Sequence, residues 1–157
     1  MIEVDNQFTV NVDITAIPGG YAWTYSPGAI PLPEGVSVTP AGVVTVPTQS
    51  GSWKITYSLS SAQFQLFSVL INTNPAQATG MCDFDQLLEV DAIPGPLPDV
   101  TEDVLPSPST STATICFANN SKTAKPVGIS FQLLARTVVG SHFITSPDPQ
   151  VKNTGEV

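Results

Sequence analysis

Phe8-Thr-Val-Asn-Val-Asp-Ile-Thr-Ala-Ile-Pro-Gly19 decides the class of this chain. Phe8, Val10, Val12 and Ile14 alternate with Thr9, Asn11 and Asp13, and the alternation runs back through Val4 and Ile2 with only Asn6 out of place. Successive side chains of a strand point to opposite faces, so this period of two predicts a half-buried β-strand, bent near Asn6. The motif then returns. Phe84-Asp-Gln-Leu-Leu-Glu-Val-Asp-Ala-Ile-Pro-Gly95 follows it at a constant spacing of 76, close to half of the 157 residues. Pro31-Leu-Pro-Glu34 is echoed by Pro96-Leu-Pro-Asp99, and Phe64-Gln-Leu66 by Phe131-Gln-Leu133, in the same order. The simplest account is one β module copied in tandem, with domains at residues 1–74 and 75–157.

Outward from that stretch the first half reads as strands throughout. Tyr21, Trp23 and Tyr25 alternate between breakers at Pro18-Gly-Gly20 and Ser26-Pro-Gly28. Val36 and Val38, then Val43, Val44 and Val46, flank Pro40-Ala-Gly42, where the glycine suits a turn that needs positive φ. Gly51-Ser-Trp-Lys-Ile-Thr-Tyr-Ser-Leu59 alternates again, and Phe64 to Ile71 is expected to return as the second arm of a hairpin. Asn72 to Gly80 is polar and contains Pro75, as a linker would.

The second half follows the first from Met81 to Ile93, then departs from it. Pro94 to Ser111 is rich in Pro, Ser and acid and reads as an extended loop. Thr112 to Ala118 and Ile129 to Val139 are expected to form a second hairpin, and the tail beyond Ser146 to fray or serve as a contact.

Composition narrows the function. Hydrophobic residues at 41% suffice for a packed core, while charged residues make up only 11%, against about 25% in an average soluble protein. The polar surface is instead Ser, Thr, Asn and Gln, as on an extracellular or virion exterior. Net charge is −8, and the five cations, Lys54, Lys122, Lys125, Arg136 and Lys152, are dispersed. Phosphate backbones are held by clustered cations, so nucleic-acid and anionic-membrane partners are not expected. No apolar run approaches the roughly 18 residues of a membrane-spanning helix. The start, Met1-Ile-Glu-Val-Asp5, lacks the basic and apolar regions of a secretory signal; taken as the native start, it predicts synthesis in a host cytoplasm.

The segment Ile30-Pro-Leu-Pro-Glu-Gly-Val-Ser-Val-Thr-Pro-Ala-Gly-Val-Val-Thr-Val-Pro-Thr-Gln-Ser-Gly-Ser-Trp-Lys-Ile-Thr-Tyr-Ser58 is similar to the bacterial and phage Ig-like (cadherin-like) repeat. That pattern resembles a Leu-Pro-x-Gly opening, a Gly-Val turn, a Pro-Thr step, then Gly-x-aromatic and alternating strand residues, and it covers residues 16–72. It departs where Val46-Pro47 replaces the usual Gly-Thr-Pro step. The resemblance implies two tandem Ig-like β-sandwich domains, the second divergent, with Trp53, Ile55, Tyr57 and Leu59 facing a core. It implies an architectural module and no catalytic residue.

No motif for catalysis, cofactor or metal stands out. His142 is the sole histidine and reads as a surface or strand-edge residue. Asp83 and Asp85, with Glu89 or Asp91, could offer oxygens to Ca²⁺, but without a calcium loop they read as solvated strand carboxylates. Asn119-Asn-Ser121 is a chance glycosylation triplet. Tyr21, Trp23 and Tyr25 could stack a sugar, with core filling the favoured reading. Cys82 shares a phase with Phe84, Leu88 and Val90, whereas Cys116 is out of phase with Ile115 and Phe117, so the pair reads as reduced.

The expectation is therefore a non-enzymatic virion structural protein without cofactor, either a capsid decoration (cement) or a tail-associated protein on the virion surface. Its partners would be capsid or other virion proteins and further copies of itself, met through Pro94 to Ser111 and the tail from Ser146. The alternative is a bacterial cell-surface adhesive or carbohydrate-binding Ig-like module that uses Trp23.

Overall fold

The computed structural model describes residues 4–47, 50–72, 86–93, 109–119, 128–137, 142–147 and 150–153. Among them the chain is all-β: β1 (Asn6–Ile17), β2 (Gly20–Pro27), β3 (Ser37–Val38), β4 (Val43–Val46), β5 (Gly51–Ser61), β6 (Phe64–Asn72), β7 (Gln86–Ile93), β8 (Ser109–Asn119), β9 (Gly128–Thr137), β10 (Phe143–Thr145) and β11 (Gln150–Asn153). One sheet has the order β2-β1-β5-β8-β7. In the other, β9 carries β6 along one edge and β10 and β11 along the other, and β11 continues to β4 and β3.

The expected division at 74/75 is corrected by this topology. β5 pairs with β8 from Gly51↔Asn119 to Ser61↔Ser109, and β6 pairs with β9 from Phe64↔Thr137 to Asn72↔Ser130. Each sheet is therefore built from both halves, and one buried cluster runs from Phe8 and Trp23 through Tyr57 and Leu66 to Phe117 and Phe131. The echo between halves does not persist as matching architecture either. β1 lies parallel to β5, whereas β7, which carries the returning motif, lies antiparallel to β8.

The two expected hairpins are corrected for the same reason. A strand has two edges, and those of β5 are taken by β1 and β8. The chain after Ser61 therefore crosses to the opposite sheet as β6. Ser61 sets the crossing, its Oγ accepting the N–H of Gln63 at 3.0 Å and of Phe64 at 3.1 Å. The tail is also corrected in part: Gln150–Asn153 inserts between β9 and β4 as an interior strand.

Other local expectations hold. Gly42 has φ 92° in the β3–β4 turn, closed by its N–H to Thr39 O at 2.9 Å. Asn6 marks the bent start of β1, its side-chain amide donating to Ser50 O at 2.8 Å. Trp53, Ile55, Tyr57 and Leu59 are all buried. They pair in register with Phe117, Ile115, Ala113 and Ser111 of β8, so two large–large pairs are followed by two in which a large residue of β5 faces a small one of β8. The small Ala113 opposite Tyr57 leaves room for that ring to meet Phe131 of the other sheet edge-on at 5.5 Å.

Candidate interaction surface

The most distinctive exterior lies on the outer face of the sheet containing β6, β9 and β10. Phe64 and Leu66 point inward, and strict alternation would also bury Ser68. The register instead shifts between Leu66 and Ser68, so Phe67 is an extra residue opposite β9. Phe67 keeps the outward direction that alternation gives it, 36% exposed, while the bulge restores an apolar residue, Val69, to the core and turns Leu70 outward, 43% exposed.

On β9, Phe131, Leu133 and Ala135 are fully buried, which places Arg136 on the opposite face. Arg136 pairs with Gln65 on one side and with Phe143 of β10 on the other. Its Nε donates to Gln65 Oε1 at 2.9 Å, and its guanidinium carbon lies 5.3 Å from the centre of the Phe67 ring. Phe67 and Phe143 meet edge-on with centroids 5.2 Å apart, and Phe143 is 57% exposed. Gln65 is itself wholly buried, so it fixes the guanidinium from a rigid position.

The start of β10 is secured by Thr137 and His142. Thr137 N–H donates to His142 O at 2.7 Å, and His142 N–H donates to Thr137 Oγ1 at 3.1 Å. His142 is exposed at the strand start, where the sequence places it. A cation stacked on one ring of an aromatic pair, with no described carboxylate paired to it, is chemistry suited to a protein contact. Aromatic residues and Arg are the types enriched in the cores of such interfaces.

The other sequence candidates fall elsewhere. Trp23 and Tyr25 are buried, which excludes them from stacking a ligand in this conformation. Tyr21 is half-exposed but spends its ring edge-on against Phe64 at 5.6 Å. Cys116 is 1% exposed between two fully buried neighbours, so both faces of β8 are covered there. Cys82, Asp83, Asp85, Asn120, Ser121 and the loop 94–108 lie outside the described residues, as do the side chains of Glu89, Asp91 and Asn119. Among the described residues no three His, Cys, Asp or Glu gather as a metal site would require. The aromatic patch was not foreseen, although Leu66-Phe67 and Val69-Leu70-Ile71 break the alternation in the way a bulge does.

Fold and surface together define an all-β protein in two facing sheets with an exposed aromatic and guanidinium patch. The chain belongs to the DP-EP family, whose model matches residues 6–155, across the 74/75 position and into both sheets. No curated protein matches it.

Proposed function

We propose that this protein is non-enzymatic and works through protein–protein contacts, with Phe67, Phe143 and Arg136 at the centre of its contact surface. The patch is the observation that carries the reading. Two rings and a preorganised guanidinium offer apolar area and directed hydrogen bonding without the entropy cost of ordering a flexible arginine. The setting we propose is the virion surface, as a capsid decoration or tail-associated protein assembled in the host cytoplasm. Its support is the low charge, the Ser/Thr-rich polar composition, and the likeness of residues 30–58 to Ig-like repeats of phage structural proteins.

The test is quantitative mass spectrometry of density-banded particles from the host that carries the gene, with wild type and Phe143→Asp. Wild-type protein should band with particles in a fixed ratio to the major capsid protein, and the variant should be depleted. Absence of wild type from particles overturns the virion setting. Equal retention of the two proteins removes the patch as the contact.

A further inference from the structure

On the other sheet's outer face, far from the patch in topology, a groove of about 470 Å³ is lined by Gln7, Thr9 and Asn11 of β1, Thr56 of β5, and Ala29 and Ile30. One side of the groove begins where the chain leaving β2 keeps to the edge of β1 for one residue past the Val10↔Pro27 pair. Gly28 N–H donates to Thr9 O at 2.9 Å, and a Cβ on Gly28 would stand 3.0 Å from that oxygen and 3.1 Å from Thr9 Cβ. Only glycine permits this approach without displacement, and it sets Ala29 and Ile30 as a wall. Ile30 is 81% exposed, the most solvent-facing large apolar side chain among the described residues.

The floor is uncharged. Gln7, Thr9 and Asn11 are every second residue of β1, and Thr56 is the register partner of Thr9. The Gln7 amide and the Thr9 hydroxyl make no hydrogen bond with the described residues. Asn11 spends only a 3.5 Å contact, from Nδ2 to Pro27 O, and Thr56 accepts from Thr114 at the same length. The nearest charges along the chain, Lys54 beside Gln7, Asp5 two residues before it and Asp13 two beyond Asn11, all stay out of the groove lining. A set of unspent amides and hydroxyls beside an apolar wall matches a ligand with neutral hydroxyls on its edges and a C–H face. The volume falls within the roughly 300–1,000 Å³ of small-ligand sites.

We propose that this groove binds a neutral saccharide, with Gln7, Thr9, Asn11 and Thr56 pairing its hydroxyls and Ile30 covering its apolar face. It is a site of its own and does not depend on the protein-contact reading.

The experiment is an amide NMR titration of the full chain with glucose, galactose, mannose, N-acetylglucosamine, maltose and cellobiose, each to about 10 mM, a weak-binding ceiling. At least one should shift amides of residues 7–11, 28–30 and 56 saturably, and Thr9→Val should weaken it about tenfold, some 1.4 kcal/mol. Thr9 is exposed, and valine keeps its shape and strand preference, so an unchanged spectrum elsewhere verifies folding. Gly28→Ala, which displaces the wall, should weaken binding as well. No saturable shift with any sugar, shifts confined to other residues, or binding indifferent to both variants would each overturn the proposal. So would a preference for an extended peptide, presented as Ala-Thr-Ala-Thr-Ala, over every sugar.

Discussion

Ser111 of β8 accepts the Leu66 N–H of β6 at 2.8 Å, a buried hydrogen bond that joins the two sheets and both halves of the chain. The bulge that follows Leu66 interrupts the β6–β9 ladder, and the Ser111 hydroxyl supplies a partner at that point. Ser111 is 1% exposed on the core side of β8, so no solvent substitute is at hand.

Ser111→Ala should therefore destabilise the fold by about 1–3 kcal/mol, the cost of leaving a buried donor unmade. Urea unfolding measures this, with Ser58→Ala on the outer side of β5 as a control expected within about 0.5 kcal/mol of wild type. Equal midpoints for the two variants would mean that the bond is not a tie between the sheets.

Tyr57 presents the opposite case. Its hydroxyl is buried with no hydrogen-bond partner among the described residues, and its ring meets that of Tyr25 edge-on at 6.3 Å. Tyr57→Phe removes a desolvated hydroxyl and keeps the ring, so stability should be unchanged or rise by up to about 2 kcal/mol. Tyr57→Ala should lose about 3–5 kcal/mol by opening a cavity beside Phe131. Loss of stability in Tyr57→Phe, read by thermal and urea unfolding, would show that the hydroxyl is satisfied in solution.

The same pair gives a response to alkali. Burial pushes the Tyr25 hydroxyl from an ordinary value of 10.0 up to about 12, and burial, followed by the neighbouring Tyr25, raises Tyr57 well above 10.0. A raised folded value means that the unfolded chain loses these protons first. Their contribution is complete below pH 10, and that of Tyr25 is lost as pH rises through about 12. Circular dichroism against pH should show unfolding that coincides with phenolate absorbance, and Tyr57→Phe should move the midpoint upward.

At the acid end the informative group is Asp5. Ser52 backbone N–H and hydroxyl donate to its Oδ2 at 3.0 and 3.1 Å, while Asp5 N–H donates to Ser52 Oγ at 2.9 Å. The Ser52 N–H first, and its hydroxyl second, hold the carboxyl below the ordinary 3.8. The clamp is therefore intact above that value and is lost as pH falls through the lowered one. Amide protection factors at Asp5 and Ser52, corrected for the intrinsic pH dependence of exchange, should fall in acid for wild type, and that of Ser52 should be low at all pH values in Asp5→Ala.

Gly51 begins β5 at φ 87°, and a Cβ there would stand 2.5 Å from Asp5 Oδ2. Gly51→Ala should cost about 1–2 kcal/mol from the left-handed backbone alone. It should also open the Asp5–Ser52 clamp, which the same amide exchange detects.

Much of the strand content was legible in residues 4–72, because alternation such as Phe8-Val10-Val12-Ile14 or Trp53-Ile55-Tyr57-Leu59 reports a face directly. The sites of the turns at Gly42 and Ser61 were legible as well, since their chemistry is local. The aromatic patch was not, because Phe67, Arg136 and Phe143 come together only across the pairings of β9 with β6 and β10, between strands far apart in sequence.

By itself the sequence determined that this chain is all-β and which residues carry much of the core. Tertiary structure alone decided that the halves share both sheets, that Gln150–Asn153 fills an interior strand position, and which aromatics reach the surface. The physical reason is that a strand's side-chain period names its two faces but not its two edges. Edge partners are chosen by which other strands, however distant, complete the hydrogen-bond ladders over a common core.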